Sequence, residues 1–361
     1  MDDRTRDVGP RSRPPRARKT RRGIRVKRDK SLLEIAKTQV GKVTLTEDVS
    51  TDNKWERLKT EFKQIDWDKF IDEYHEHSGH WAIVPRVIFF NQRGITQTFK
   101  ALALLVEEFM GSIWDVDTKH EYTQRMIEER IIQARGPINK VSDAHARIRD
   151  NLFRYLGLAF LESGSVISES HITEVGSKFL KTFSLIERKA ILEGQLIKLH
   201  FWNPVIPRER YGNFQVRPFA LLLQLLIHLD AQSLSSEEYN LFLSRAQSMK
   251  ELEITLKGIS QFRQMNSSQQ TTLINQLNNY IQQGRQTSLY HEVDEMRKIV
   301  FSLFSVSSVC KINQDRTKIR LNENQLHWAR KFIELNDNVQ YRRFTNQRDW
   351  YEYYGRASVI T

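Results

Sequence analysis

Cysteine is almost missing from this sequence: Cys310 is the only one in 361 residues. A lone cysteine closes no intramolecular disulfide. No Cys/His spacing of the zinc-binding kind accompanies it, so a reducing compartment is expected. Long apolar runs are missing as well. The longest, "FALLLQLLIHLDA" from Phe219, is interrupted by Gln224 and His228. It is too short to span a bilayer and reads as a buried helix, so no membrane partner is expected. No Gly-rich phosphate loop, Ser/His/Asp set or activated cysteine is visible, and no heptad-spaced dimerisation helix stands out. These absences leave a binding protein.

Two apparent chemical motifs lose their force on inspection. A two-metal nuclease centre needs an Asp and a Glu on strand ends and a Lys near the attacking water. Glu61-Phe62-Lys63 is the tempting Glu-x-Lys, but it falls inside an expected helix with no Pro-Asp before it. "HEHSGH" offers His75, His77 and His80, yet the first two point to different helical faces and no second cluster completes a ligand set. No catalytic residue, metal or other cofactor is therefore assigned to this chain.

Positive charge is what the sequence has in excess. The formal net charge is +12, and the first thirty residues hold 13 Lys/Arg against 4 Asp, or +9, leaving +3 for the other 331 residues. The tail "RSRPPRARKTRRGIRVKRDK" is Pro- and Arg-rich with few large apolar side chains, and is expected to be disordered on its own. It could be a non-specific nucleic-acid arm or a solubilising tail. The acids Asp2, Asp3 and Asp7 argue against a targeting peptide.

Hydrophobic periodicity then divides the chain. After the tail (1–30), residues 31–92 carry amphipathic stretches, with "NKWERLKTEFKQI" and "WDKFIDEYHEH" as expected helices. Residues 93–190 follow. "GITQTFKALALLVEEFM" puts Phe99, Leu102, Leu105 and Phe109 on one face, and "KHEYTQRMIEERIIQARG" predicts a second helix closed by Gly136-Pro137. Asp143 occupies an N-cap position before a third helix, with Ile148, Leu152, Tyr155 and Leu156 inward. A short β-hairpin around Ser163-Gly164-Ser165 and a closing helix "TEVGSKFLKTF" complete the unit. Three helices followed by a hairpin are the pattern of a winged helix, whose third helix enters the major groove while the hairpin grips the backbone or minor groove.

The pattern recurs. Residues 191–288 supply the helices "RPFALLLQLLIHL", "SSEEYNLFLSRA" and "MKELEITLKGISQFRQM", then a Gln/Asn-rich stretch that reads as either helix or spacer. Residues 289–361 supply a helix carrying Met296, Ile299, Val300 and Leu303. A hairpin turning at "NQDR", another helix and a C-terminal aromatic segment follow. The expected fold is mainly α with small β-hairpins, two winged-helix subdomains joined by helices. Two such modules suit a site longer than one helix can cover.

Three stretches carry a family resemblance: "ARIRDNLFRYLGLAFLESGSVISESHITEVGSKFL", "GQLIKLHFWNPVIPRERYGNFQVRPFALLLQLLIHL" and "YRRFTNQRDWYEYYGRAS". Their order resembles the recognition region of the AlwI-type family of type IIS restriction and nicking endonucleases, from about residue 80 onward. The match rests on order and spacing, since none of the three is a catalytic motif. The resemblance implies a chain that reads an asymmetric double-stranded DNA site as a monomer, in the bacterial cytoplasm at the nucleoid. It further implies that cleavage and its Mg2+ belong to a PD-(D/E)xK nuclease domain or subunit, because the sequence stops at Thr361, about where that domain would begin. A winged-helix transcription regulator and a protein-interaction scaffold are the alternatives from other classes.

Candidate DNA contacts follow from helical geometry at about 100° per residue. With Ile148 taken as inward, Asp143, Arg147, Asp150 and Arg154 fall on the outer face of the third helix, flanked by Arg149 and Asn151. Arg reads guanine bidentately and Asp accepts from cytosine, although Asp143/Arg147 and Asp150/Arg154 are also i,i+4 pairs that would support an exposed helix. In the second module the equivalent positions are Asp294, Arg297 and Lys298, and its wing carries Lys311, Arg316 and Lys318, better placed for phosphate than for bases. Arg208, Arg210 and Arg217 sit in an irregular loop beside Phe201, Trp202, Tyr211 and Phe214 that could meet the minor groove or pack a domain junction. Trp350, Tyr351, Tyr353 and Tyr354 could stack on bases or form core.

Overall fold

Most helices begin where the sequence offers a side-chain cap. A computed structural model describes residues 65–76, 79–81, 83, 89–133, 143–206, 213–229, 231–281, 286–337, 344 and 346–357. In it Asn91 accepts from the Gly94 amide, Asp115 from Thr118, Thr173 from Gly176 and Ser184 from Glu187. Each cap satisfies one of the orphan donors of a first helical turn. The Arg/Pro-rich tail, the "NKWERLKTEFKQI" helix and the Glu61-Phe62-Lys63 motif lie outside the described residues.

The first half runs α1 (Trp67–Glu76), α2 (Gln92–Glu108), α3 (Val116–Glu128), α4 (Ala144–Leu156), α5 (Glu174–Leu180) and α6 (Leu185–Lys198). The second half runs α7 (Pro218–His228), β1 (Ser233–Ser235), α8 (Ser236–Leu241), α9 (Leu252–Gln264), α10 (Ser267–Asn279) and α11 (Leu289–Phe304). It continues through β2 (Cys310–Ile312), β3 (Lys318–Leu321), α12 (Leu326–Asp337) and α13 (Gln347–Tyr354). The described fold is thus mainly helical with one small three-stranded antiparallel sheet, ordered β1-β3-β2. The Gln/Asn-rich stretch is a helix, α10, held by a capping box between Asn266 and Gln269 and by burial of Leu273 and Leu277. No described helix is long and apolar enough to cross a membrane.

Two sequence expectations are corrected. The second helix stops at Glu128 rather than at Gly136, because Arg130 takes a left-handed φ of 55° and Ile131 turns inward to a buried position. The segments flanking Ser163-Gly164-Ser165 pair with each other only at their base, where the Phe160 amide donates to the His171 carbonyl at 2.9 Å and the Thr173 amide to that of Leu158 at 3.1 Å, and not up to the turn itself. Val166 bridges back to Ile113, which precedes α3, while Ala159 bridges to Ile172. A 3-10 turn over Glu169–His171, stapled by the Ser168 hydroxyl against His171 Nδ1 at 2.9 Å, takes up the residues between. The resulting order is helix, bridging strand, helix, helix, then two returning extended segments. It recurs in the second half, where α9 and α10 are inserted between α8 and α11.

The ends of the described chain cross over. Residues near the N-terminal end of the described chain pack on the second half: Trp67 and Phe70 meet Phe242, Tyr74 donates to the Asn240 carbonyl at 3.3 Å, and Trp81 Nε1 donates to Ala246 at 2.8 Å. The C-terminal helix α13 packs on the first half instead of beside the second-half sheet. Tyr351 stacks on Phe160 at 3.5 Å, and Gln195 Nε2 and Lys198 Nζ both donate to the Tyr354 carbonyl, at 2.8 and 2.9 Å. Gly157 permits this junction, since a Cβ there would lie 2.8 Å from the Tyr354 ring and 3.0 Å from its carbonyl oxygen, while Gly176 lets α5 pack on the returning segment, where a Cβ would lie 2.0 Å from the Leu158 carbonyl oxygen.

Candidate nucleic-acid interface

In α4 the inward stripe is Ala146, Arg149, Leu152, Phe153 and Leu156. Ile148 and Tyr155 are only half-buried, so the true inward direction is rotated away from the one Ile148 suggests. Arg149 consequently lies inside the protein, 4% exposed, rather than flanking the outer face. Its guanidinium is held down in pKa by burial and its Nη1 finds no hydrogen-bond acceptor among the described residues. Arg147 and Asn151, one turn apart, are the exposed polar side chains of this helix. Arg147 is 62% exposed and pairs with Asp143 at 3.0 Å. Asp143 is the N-cap residue by backbone position, but its carboxylate serves Arg147 in place of a backbone amide.

Asp150 and Arg154 are committed elsewhere. Arg154 Nε donates to Asp150 Oδ1 at 2.8 Å and Nη2 to Oδ2 at 3.1 Å. Its remaining donors reach the Leu161 carbonyl and the Tyr351 hydroxyl. This pair clamps α4 to the returning segment and to α13, so it is removed from the outer face. Burial is the leading influence on Asp150 and pushes its carboxyl up, with Arg154 opposing.

In the second half, Arg297 is buried against expectation. It donates to Asp294 at 3.0 Å and to the Arg316 carbonyl, with Phe301 beneath it. Lys298 is shared by Glu295 at 2.5 Å and Asp294 at 3.7 Å. With His291 and Glu295 also exposed, the open face of α11 is acidic and poorly suited to phosphate. Arg316 lies over the Phe89 ring at 3.8 Å and so faces the N-terminal segment.

Among the cations expected to meet DNA, those on the sheet stand free of ion pairs within the described residues. Along β3, Ile319 and Leu321 turn inward while Lys318 and Arg320 turn out, and Lys311 of β2 sits directly opposite Arg320. Like charges opposite each other in a ladder repel. No carboxylate pairs with Lys311, Lys318 or Arg320 among the described residues, and Asp315 in the turn is occupied by the Thr317 amide and hydroxyl. Arg320 is the position the sequence reading missed. Its signal was the alternation in "TKIRLN", which places Lys318 and Arg320 on one face.

Arg208 and Arg210 lie outside the described residues. Arg217 is buried at the N-cap of α7, and its Nε donates to His200 Nε2 at 3.3 Å. His200 Nδ1–H donates to the Lys198 carbonyl at 2.8 Å. Burial, with Arg217 adding to it, pushes the imidazole down to about 3, so it is a neutral structural histidine. Phe201, Phe214, Trp350 and Tyr354 are core, Trp202, Tyr351 and Tyr353 are half-buried, and Tyr211 lies outside the described residues. His80 is buried, His77 lies outside the described residues, and no group of three metal-ligating side chains occurs among the described ones. What the geometry presents to solvent is a helix with an Arg–Asn pair and, in the other half, a cationic hairpin. No protein-family model and no curated protein matches the chain.

Proposed function

We propose that this chain binds double-stranded DNA sequence-specifically through two winged-helix modules, as the target-recognition part of a type IIS restriction or nicking system. The observation that carries the reading is the repeated connectivity. In both halves a helix, a strand, a helix and a further helix precede two extended segments, and the first strand pairs with the last. That order supports a winged helix, in which the hairpin lies beside the helix that enters the groove. The division of labour differs between halves. Arg147 and Asn151 of α4 are the base-reading candidates, since Arg suits guanine and Asn suits adenine. Lys311, Lys318 and Arg320 are the phosphate-holding candidates. Arg149, Arg154, Arg217 and Arg297 support the fold rather than the DNA. Cleavage and Mg2+ are assigned to a nuclease domain or subunit.

The test is selection of duplexes from a random library by the full chain, with Mg2+ present and products checked for nicks. An asymmetric enriched motif is expected. Arg147→Ala should cost about 1–3 kcal/mol at one base pair and leave the other positions unchanged. Binding without any enriched motif would overturn the sequence-reading function and leave a non-specific basic protein.

A further inference from the structure

The turn between α5 and α6 exposes apolar surface without being loose. Phe183 is 97% exposed and Ile186 is 80% exposed, the two most exposed large hydrophobic side chains of the described residues. Ordinarily such a ring either packs down or sits on a mobile tip. Here the backbone beneath it is pinned. The Phe183 and Ser184 amides donate to the Glu187 carboxylate at 3.0 and 2.9 Å, and Ser184 Oγ accepts from the Glu187 amide at 3.2 Å. On the other side Thr182 donates to the Phe179 carbonyl at 2.6 Å, and Arg188 Nε donates to the Thr182 hydroxyl at 3.1 Å while its guanidinium lies on the Phe99 ring at 3.6 Å. The ring is thus presented from a fixed base.

Its surroundings are cationic. Residues 178–189 hold Lys178, Lys181, Arg188 and Lys189 against the single acid Glu187, a net +3. Glu187 is turned to backbone amides, and nearby Glu174 and Glu193 accept from the Ala357 amide and the Ser307 hydroxyl. No carboxylate pairs with Lys178, Lys181 or Lys189 among the described residues. An exposed apolar ring in a segment whose lysines have no carboxylate partner among the described residues matches a partner that is apolar in cross-section and anionic at its rim. A base-pair step between two phosphate backbones has that chemistry. One aromatic side chain offers about 200 Å², well short of the roughly 800 Å² per side of a stable protein interface.

We propose that Phe183, backed by Ile186, is a wedge that enters a base-pair step from the minor-groove side, kinking the duplex while Lys178, Lys181 and Lys189 hold the flanking phosphates. This rests on the DNA-binding reading above and adds to it a deformation step. Apolar wedges of this kind unstack a step and bend DNA, and they favour flexible pyrimidine–purine steps.

The experiment uses the full chain and its selected duplex, with 2-aminopurine placed at successive steps and a donor–acceptor dye pair on the duplex ends. One step should brighten and the ends should approach on binding. Phe183→Ala should abolish both signals and weaken binding roughly ten- to a hundred-fold, with an unchanged melting temperature and with discrimination at the Arg147-dependent base pair retained. Phe183→Leu should restore part of the bend. If the full chain selects a duplex and Phe183→Ala changes neither signal, the wedge is overturned while sequence reading stands. If no duplex is selected at all, both fall. Loss of self-association or of anionic-vesicle binding in Phe183→Ala, with an unchanged duplex response, would overturn the wedge and assign the turn to a protein or lipid surface.

Discussion

Replacing Arg154 separates a structural from a reading role for the third helix. Arg154→Ala strips Asp150 of its partner in a site where the two side chains are 18% and 13% exposed, and it also releases the Leu161 carbonyl. Removing one member of a buried pair costs about 3–5 kcal/mol, and the residual exposure here favours the lower end, about 3 kcal/mol. The pH dependence has a defined sign. Burial already raises the folded Asp150 carboxyl, and losing Arg154 raises it further. A carboxyl with a raised folded value destabilises as pH climbs above its unfolded value of about 3.9. The deficit of the variant should therefore be largest at pH 7 and shrink steadily as pH falls toward 4. Adding Asp150→Asn should recover part of the loss, because a neutral amide is less costly to bury unpaired. Urea unfolding at pH 7 and pH 5 measures each difference. A loss below about 1 kcal/mol, flat with pH, would refute the clamp. Joined to altered preference at one base pair, it would return Arg154 to the DNA-facing surface.

Other consequences are equally open to measurement. Gly176→Ala should destabilise by about 2 kcal/mol, since the new methyl meets the Leu158 carbonyl rather than a side chain that can rotate away; thermal unfolding reads this directly. Cys310 is buried, and burial pushes its thiol up, so it should ignore a thiol-reactive dye in native buffer and react fully in denaturant. Rapid native labelling would show that the β2–β3 sheet opens readily. Lys311→Ala with Arg320→Ala should weaken binding to all duplexes alike and lower the magnitude of the salt slope by roughly 2. A change confined to one sequence would instead make the hairpin a base reader.

Much of the architecture was legible because it is local. The Thr173 start of α5, the Pro218 start of α7 and the alternation in Lys318-Ile319-Arg320-Leu321 act over a few residues, so these elements could be placed from spacing alone, whereas α6, capped by Ser184, was not read as a helix. The recurrence of helix, two extended segments and helix was legible for the same reason, but the early strand that pairs with the last segment in each half was not. The candidate site was read less well. Of the arginines expected on an outer face, Arg147 is there, whereas Arg149 and Arg297 are inside. A helical wheel needs an origin, and Ile148 was a plausible one; Leu152 and Leu156 were placed inward correctly, but only the packing of α4 against α3 shows that Ala146, Arg149 and Phe153 share that side.

Sequence alone determined the composition of the chain: a concentration of charge in the first thirty residues, one cysteine, apolar runs of helical and strand period, and a pattern that occurs twice. Tertiary structure decided which cations are available to a partner. Desolvation makes a buried guanidinium seek acceptors, so Arg154 and Arg297 turn to Asp150, Asp294 and backbone carbonyls, while Lys311 and Arg320 stay in water on a sheet face with no carboxylate opposite. It also decided that the first and last described elements exchange places, with Trp67 and Trp81 on the second half and Tyr351 and Tyr354 on the first. Those contacts join residues more than 150 positions apart, and no local period carries information over that distance.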